Sequence, residues 1–247
     1  MSASSSSIIK HLSRVDHERR LREQVPQLEA AVQSVKRYQQ RRFMNTYADL
    51  LKSQRYGAAA RFFLEELYGP TDFTRRDSQF RRVAPAIVHF FPAELVRAVE
   101  ILAELHAISE TLDSEMGRQL TESAVDATTY VSAWQATGHP DLRADQIALT
   151  LEIGATLDRY TRKPLLRQTL RIMRTPAHAA GLGELQRFLE AGYDAFKAMN
   201  GADEFLSTVK HREAELADAL FMVPTGTRIF TAAGLTGETP SALRQLP

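Results

Sequence analysis

The chain has 247 residues, 44% hydrophobic and 25% charged, with 31 basic against 30 acidic side chains. A net charge of +1 creates no overall field for nucleic acid or lipid. The absence of cysteine excludes disulfides, thiol catalysis and thiolate-bound zinc or iron–sulfur centres.

The pattern along the chain is helical almost throughout, and no stretch alternates apolar and polar residues with period two. The Ser-rich start carries only Ile8-Ile9 as an apolar pair, so no secretory signal is expected, and Asp16, Glu18 and Glu23 argue against a transit peptide. A first helix is predicted over 8–24, interrupted at Pro26. A second is predicted over 28–54, with Leu28, Val32, Val35, Phe43, Tyr47, Leu50 and Leu51 inward. A third covers 56–68, stopped by Gly69-Pro70. Asp72 or Thr74 caps the next helix, which runs to 91 and should kink at Pro85. Pro92 opens a long helix to about 120, with Leu95, Val99, Leu102, Leu105 or His106, Ser109 and Leu112 on one face. Asp126 and Asp141 are candidate caps for helices over 126–134 and 141–160. A helix over 165–174 should restart at Thr175-Pro176, and two more are predicted over 184–199 and 202–221. From Val223 onward Pro224, Gly226, Gly234, Gly237 and Pro240 end the periodicity.

The expected architecture is therefore all-α, one bundle-like domain of about ten helices, with a globin-like central part as one arrangement of the same elements. Residues 1–25 form a helical arm, 26–222 the domain, and 223–247 a loop-like, partly disordered tail. The first helices are thinly apolar, so they are expected to be exposed or to pack on a protein partner or a second copy of the chain. No apolar run reaches the roughly 20 residues of a membrane span, and a cytoplasmic location is expected. Charge is locally uneven: residues 1–56 hold eleven Lys/Arg against five acids, and residues 84–127 hold two against eight. Such a contrast helps helices pack or assemble head to tail, although solvated faces look the same.

The segment running Phe62-Phe63-Leu64-Glu65-Glu66-Leu67-Tyr68-Gly69-Pro70-Thr71-Asp72-Phe73-Thr74-Arg75-Arg76-Asp77 resembles a motif of the form FFLxxLYGPxDFxxRD. It is similar to that of a family of uncharacterised, all-helical proteobacterial proteins. The resemblance continues through Leu102-Ala103-Glu104-Leu105-His106, Tyr130-Val131, Trp134-Gln135 and Lys163-Pro164-Leu165-Leu166. It implies an all-helical fold and no particular activity. Physically, the motif reads as a structural corner. Phe62 and Phe63 bury a helix face, Gly69 permits a left-handed cap, and Pro70 stops the helix. Asp72 accepts from the next helix's free N–H groups, and Asp77 is available for ion pairing.

Two constellations invite a ligand. His106 lies four residues after Leu102 and seven after Val99, beside an apolar stripe, where an imidazole can serve as the axial ligand of a haem. His89, among Phe80, Phe90 and Phe91, is the candidate second histidine of the same pocket. Arg167, Arg171 and Arg174 stand at i, i+4 and i+7, a guanidinium row suited to an anion or an acidic partner helix, or simply to acids on a neighbouring helix. Glu-x-x-His pairs, His-Glu-x-x-His, Gly-x-Ser-x-Gly, the P-loop and the dinucleotide fingerprint are all absent. The Arg row lacks interleaved aromatics, so it does not point to nucleic acid. The leading expectation is a non-enzymatic binding or regulatory protein acting through protein or small-ligand contacts. The alternative is a haem-binding or sensor protein using His106.

Overall fold

The computed structural model describes residues 5–66, 70–90, 93–120, 124–163, 165–224 and 240–247, with Ile87 and Phe90 described as backbone only. Among these residues there are eleven α-helices and no strand: α1 (Ser5–Glu23), α2 (Pro26–Thr46), α3 (Ala48–Lys52), α4 (Gly57–Glu66), α5 (Thr74–Phe90), α6 (Ala93–Gln119), α7 (Ala127–Thr137), α8 (Pro140–Thr161), α9 (Leu166–Ala179), α10 (Gly183–Met199) and α11 (Asp203–Met222). A short 3-10 turn, Ser241–Gln245, follows.

The helix boundaries follow local chemistry. Pro26 sits at the start of α2, where its missing N–H costs nothing. The long second helix expected from periodicity breaks at Tyr47, whose φ of −116° and ψ of 24° leave the helical region and separate α2 from α3. Asp72 Oδ1 accepts from the Thr74 N–H at 2.9 Å, as anticipated. Asp126 and Thr129 form a reciprocal capping box at α7, with Thr129 N–H donating to Asp126 Oδ1 at 2.8 Å. The α8 start differs from expectation: His139, not Asp141, is the cap residue, held at φ 58° after Gly138 at φ 70°. Pro85 and Pro176 do not divide α5 and α9. Both are exposed, so water can satisfy the carbonyl that each leaves without a donor.

The long helix α6 is the centre of the fold, with α1, α2, α7 and α8 packed against it. One apolar cluster gathers Phe43, Tyr47, Phe62, Phe63, Phe80, Phe188, Phe196 and Phe205. A second holds Val35, Tyr38, Tyr130, Trp134, Leu216 and Leu220.

The described parts of both terminal segments pack against the helices of the domain. The apolar stripe of α1 (Ile8, Leu12 and Val15) is buried within the chain, because α6 and α5 cover it. Sparse apolar residues suffice there because their i, i+4, i+7 spacing forms a continuous narrow stripe. The described part of the tail, 240–247, is docked: Leu243 and Leu246 join the second cluster, and Asn45 Nδ2 donates to the Gln245 carbonyl at 3.2 Å. Gly226, Gly234 and Gly237 of the expected tail, and Leu67, Tyr68 and Gly69 of the expected corner, lie outside the described residues.

Candidate functional site

The buried face of α6 is unusually polar. Glu110 is 3% exposed and Ser114 fully buried. A lone buried carboxylate would be very costly, and the helices packed on α6 supply its partners. Lys36 Nζ of α2 lies 2.7 Å from Glu110 Oε1, and Arg22 Nη2 of α1 lies 2.7 Å from Glu110 Oε2. Arg22 also donates to Ser114 Oγ at 2.9 Å and to Glu29 Oε2 at 3.1 Å. Burial alone would raise the Glu110 carboxyl, but Lys36, His106 and Arg22 overcome it and hold it at about 2.

One turn away, Asp77 of α5 lies 2.9 Å from Arg19 Nη1 and 2.9 Å from His106 Nε2. Arg19 Nη2 is 3.2 Å from that same Nε2. Arginine has no acceptor, so when His106 Nε2–H donates to Asp77, Arg19 is only a neighbour of the ring. Burial pushes the Asp77 carboxyl up, and the hydrogen bond and charge of His106 with the charge of Arg19 bring it below its ordinary value. The motif's Asp77 is thus a buried ion-pair centre that joins α1, α5 and α6.

Beside this seam lies a cavity of about 110 Å³, partly open to solvent. Its charged lining resolves into pairs. Lys36 pairs with Glu110. Arg42 Nη1 lies 2.6 Å from Glu213 Oε1, which also accepts from the Tyr47 hydroxyl at 2.8 Å. Arg76 Nη1 lies 3.0 Å from Glu66 Oε2, its guanidinium stacked 3.8 Å from the Phe73 ring centre.

Two lining residues are left over. Asp113 is buried and, among the described residues, accepts only from Gln39 Nε2 at 3.1 Å, and burial raises its carboxyl above the ordinary value. Arg143 is 4% exposed. No carboxylate of the described residues lies within 4.0 Å of its guanidinium. It donates to the Gln146 side-chain oxygen at 3.1 Å, contacts Met116 Sδ at 3.2 Å and lies 3.8 Å over the Trp134 ring. Its Nε and the Trp134 Nε1 have no hydrogen-bond partner among the described residues. Burial presses the guanidinium below its ordinary value, while Tyr130, Asp113 and Glu115 act the other way.

The residues singled out in the sequence are distributed as follows. His106 lines the cavity, but His89 is exposed and does not. Phe62 and Phe63 belong to the first apolar cluster, and Pro70 is half-buried in the turn before α5. Arg167 Nη2 pairs with Asp194 Oδ2 at 2.9 Å and Arg174 Nε with Glu190 Oε1 at 3.1 Å, both acids on α10. Arg171 is exposed, and the row forms no pocket with His106. Arg22, Lys36, Glu110, Asp113 and Arg143 were missed. The available signal was the basic excess of 1–56 against the acidic excess of 84–127, which here serves helix packing.

A haem does not fit this environment. His106 Nε2 is engaged by Asp77 at 2.9 Å, so that nitrogen is not open to an iron. A macrocycle also needs at least the roughly 300–1,000 Å³ of an ordinary ligand pocket, against a cavity of about 110 Å³. Among the described residues, no three His, Asp or Glu side chains are grouped to hold a metal ion, and no helix is long and apolar enough to cross a membrane. Ser109 Oγ donates to the Leu105 carbonyl at 2.8 Å and accepts from Gln146 at 2.9 Å, so no base activates it.

No curated protein and no solved structure matches the chain. A model of a domain of unknown function matches residues 18–225, from α1 through the end of α11, consistent with the resemblance at the level of an uncharacterised family. A match over most of the chain is decisive, and the protein belongs to the family described as Domain of unknown function (DUF8198).

Proposed function

We propose that the protein is a non-enzymatic binding or regulatory protein that holds a compact polar molecule in the cavity between α2, α6, α7, α8 and α11. The observation that carries this reading is the cavity's composition: a space lined by four cationic side chains, four carboxylic ones and His106, with apolar walls from Leu105, Ile147 and Leu216. Packing alone rarely places so many desolvated charges around an empty volume, because each costs several kcal/mol unless satisfied. Native mass spectrometry of the purified protein, with a thermal-shift screen of small acids, amines, amides and polyols, tests the reading. At least one class should raise the melting temperature by several degrees at about 100 times its Kd, and Ala217→Phe, which fills the cavity wall, should abolish the shift. A folded protein that responds to no class sinks the reading. The lack of cysteine fits the reducing cytoplasm in which we expect the protein to act.

A second reading, self-association, is favoured by α9. Leu165 is 69% exposed and Ile172 73%, with Met173 beside them. Leu165 and Ile172 are seven residues apart, hence on one side of the helix. This surface, rather than α1, is the contact we assign to a second copy of the chain. Sedimentation at about 100 µM should show a dimer that Ile172→Glu dissociates; a monomeric wild type would overturn the assignment.

A further inference from the structure

We infer that the ligand of the cavity beside α6 is a small monoanionic carboxylate whose charge is held by Arg143. This rests on the cavity being a binding site and adds the chemical class.

The argument is one of charge and volume. Three of the four cationic side chains lining the cavity have their carboxylate: Lys36 on Glu110, Arg42 on Glu213 and Arg76 on Glu66. Of the remaining two charged groups, Asp113 is buried, accepts from Gln39 Nε2 at 3.1 Å and lies more than 4.0 Å from the Arg143 guanidinium. Arg143 is left as a desolvated cation whose contacts are an amide oxygen, a thioether sulfur and an indole face. None of these carries a negative charge, and a guanidinium has five N–H donors in a fork that matches a carboxylate. Asp113 and Glu115 act on Arg143 only from beyond 4.0 Å, so the missing partner is one carboxylate in contact.

Volume sets the size. An apolar cavity of about 150 Å³ holds benzene, with six heavy atoms, and this one measures about 110 Å³. A ligand of about four or five non-hydrogen atoms fits, the size of acetate or phosphate. The walls select between these two. Leu105, Ile147, Leu216 and Ala217 line the same space, which suits the hydrocarbon end of a short carboxylate, an end that phosphate lacks.

The test is calorimetry and thermal shift on the full chain at fixed ionic strength, with acetate, propionate, phosphate and the neutral isostere acetamide as probes. For so small a ligand the best attainable Kd is about 10–100 µM, so millimolar concentrations suffice. The expected result is that acetate and propionate bind while acetamide and phosphate bind at least tenfold more weakly. Arg143→Met should lose carboxylate binding by more than tenfold and remain folded, since it removes an uncompensated buried cation; Arg143→Lys should retain part of it. If Arg143→Met fails to fold, Arg143→Gln with the same probes takes its place. Equal binding by acetamide and acetate, or undiminished acetate binding in the Arg143 variants, overturns the carboxylate assignment and leaves the cavity a binding site. Phosphate binding in preference to acetate overturns the carboxylate but keeps Arg143 as the anion contact. A protein that binds none of the probes and shows no co-purified ligand refutes both, leaving water as the cavity's content.

Discussion

Glu110→Ala is expected to lower stability by about 3–5 kcal/mol, because it removes the carboxylate that bridges buried Arg22 and half-buried Lys36. In a chain of this length that corresponds to a melting temperature lower by on the order of 10 °C. Glu110→Gln keeps the shape and isolates the charge. The carboxyl is held at about 2 against an ordinary 4.5. A depressed carboxyl contributes stability that is complete above its unfolded value and is lost as pH falls through its folded one. The difference between wild type and Glu110→Gln should therefore be constant above about pH 4.5 and shrink by on the order of 3 kcal/mol as the pH approaches 2. Urea unfolding at pH 7, 4 and 3 measures it. The difference between the two proteins is needed because Asp113 runs the other way: its carboxyl is raised, so its contribution is present at low pH and is lost as pH rises through the raised value. A difference that is flat down to pH 3 would mean that Glu110 does not carry the seam.

The elements of this fold are written in short-range signals. The stripe of Ile8, Leu12 and Val15 and the caps at Asp72 and Asp126 involve residues within a turn or two of one another, and all are present in the structure. The seam and cavity are different. Arg22 and Glu110 are 88 positions apart, and Arg42 and Glu213 171 apart. Each of these residues, seen alone, is an ordinary polar position on an amphipathic helix. Nothing local distinguishes Arg143, five residues past Gly138, from a solvated arginine, and its isolation depends on what α2, α6 and α7 place around it. His106 was visible only as a histidine near an apolar stripe. Its partner, Asp77, had been read for its place in the corner, and only the packing of α5 on α6 joins the two.

Phe63→Ala separates the structural role of the motif from a binding role. Phe63 is 1% exposed. Its ring centre lies 5.3 Å from Phe205, 6.1 Å from Phe196 and 6.4 Å from Phe62, a cluster joining α4, α10 and α11. Truncation removes a whole ring and leaves a cavity that its aromatic neighbours, locked against one another, can only partly fill. The expected loss is about 3–5 kcal/mol, against about 1–2 kcal/mol for Phe63→Leu. Phe63 does not line the cavity beside Arg143. In guanidinium unfolding the baseline stability of Phe63→Ala should fall while the acetate-induced increment keeps its wild-type size, because the ligand stabilises by mass action on whatever folded protein exists. An increment that disappears while Phe63→Ala is still folded would put the motif in the binding site. An unchanged increment over a lowered baseline separates the two: the first aromatic cluster maintains the fold, and the polar cavity beside α6 acts within it.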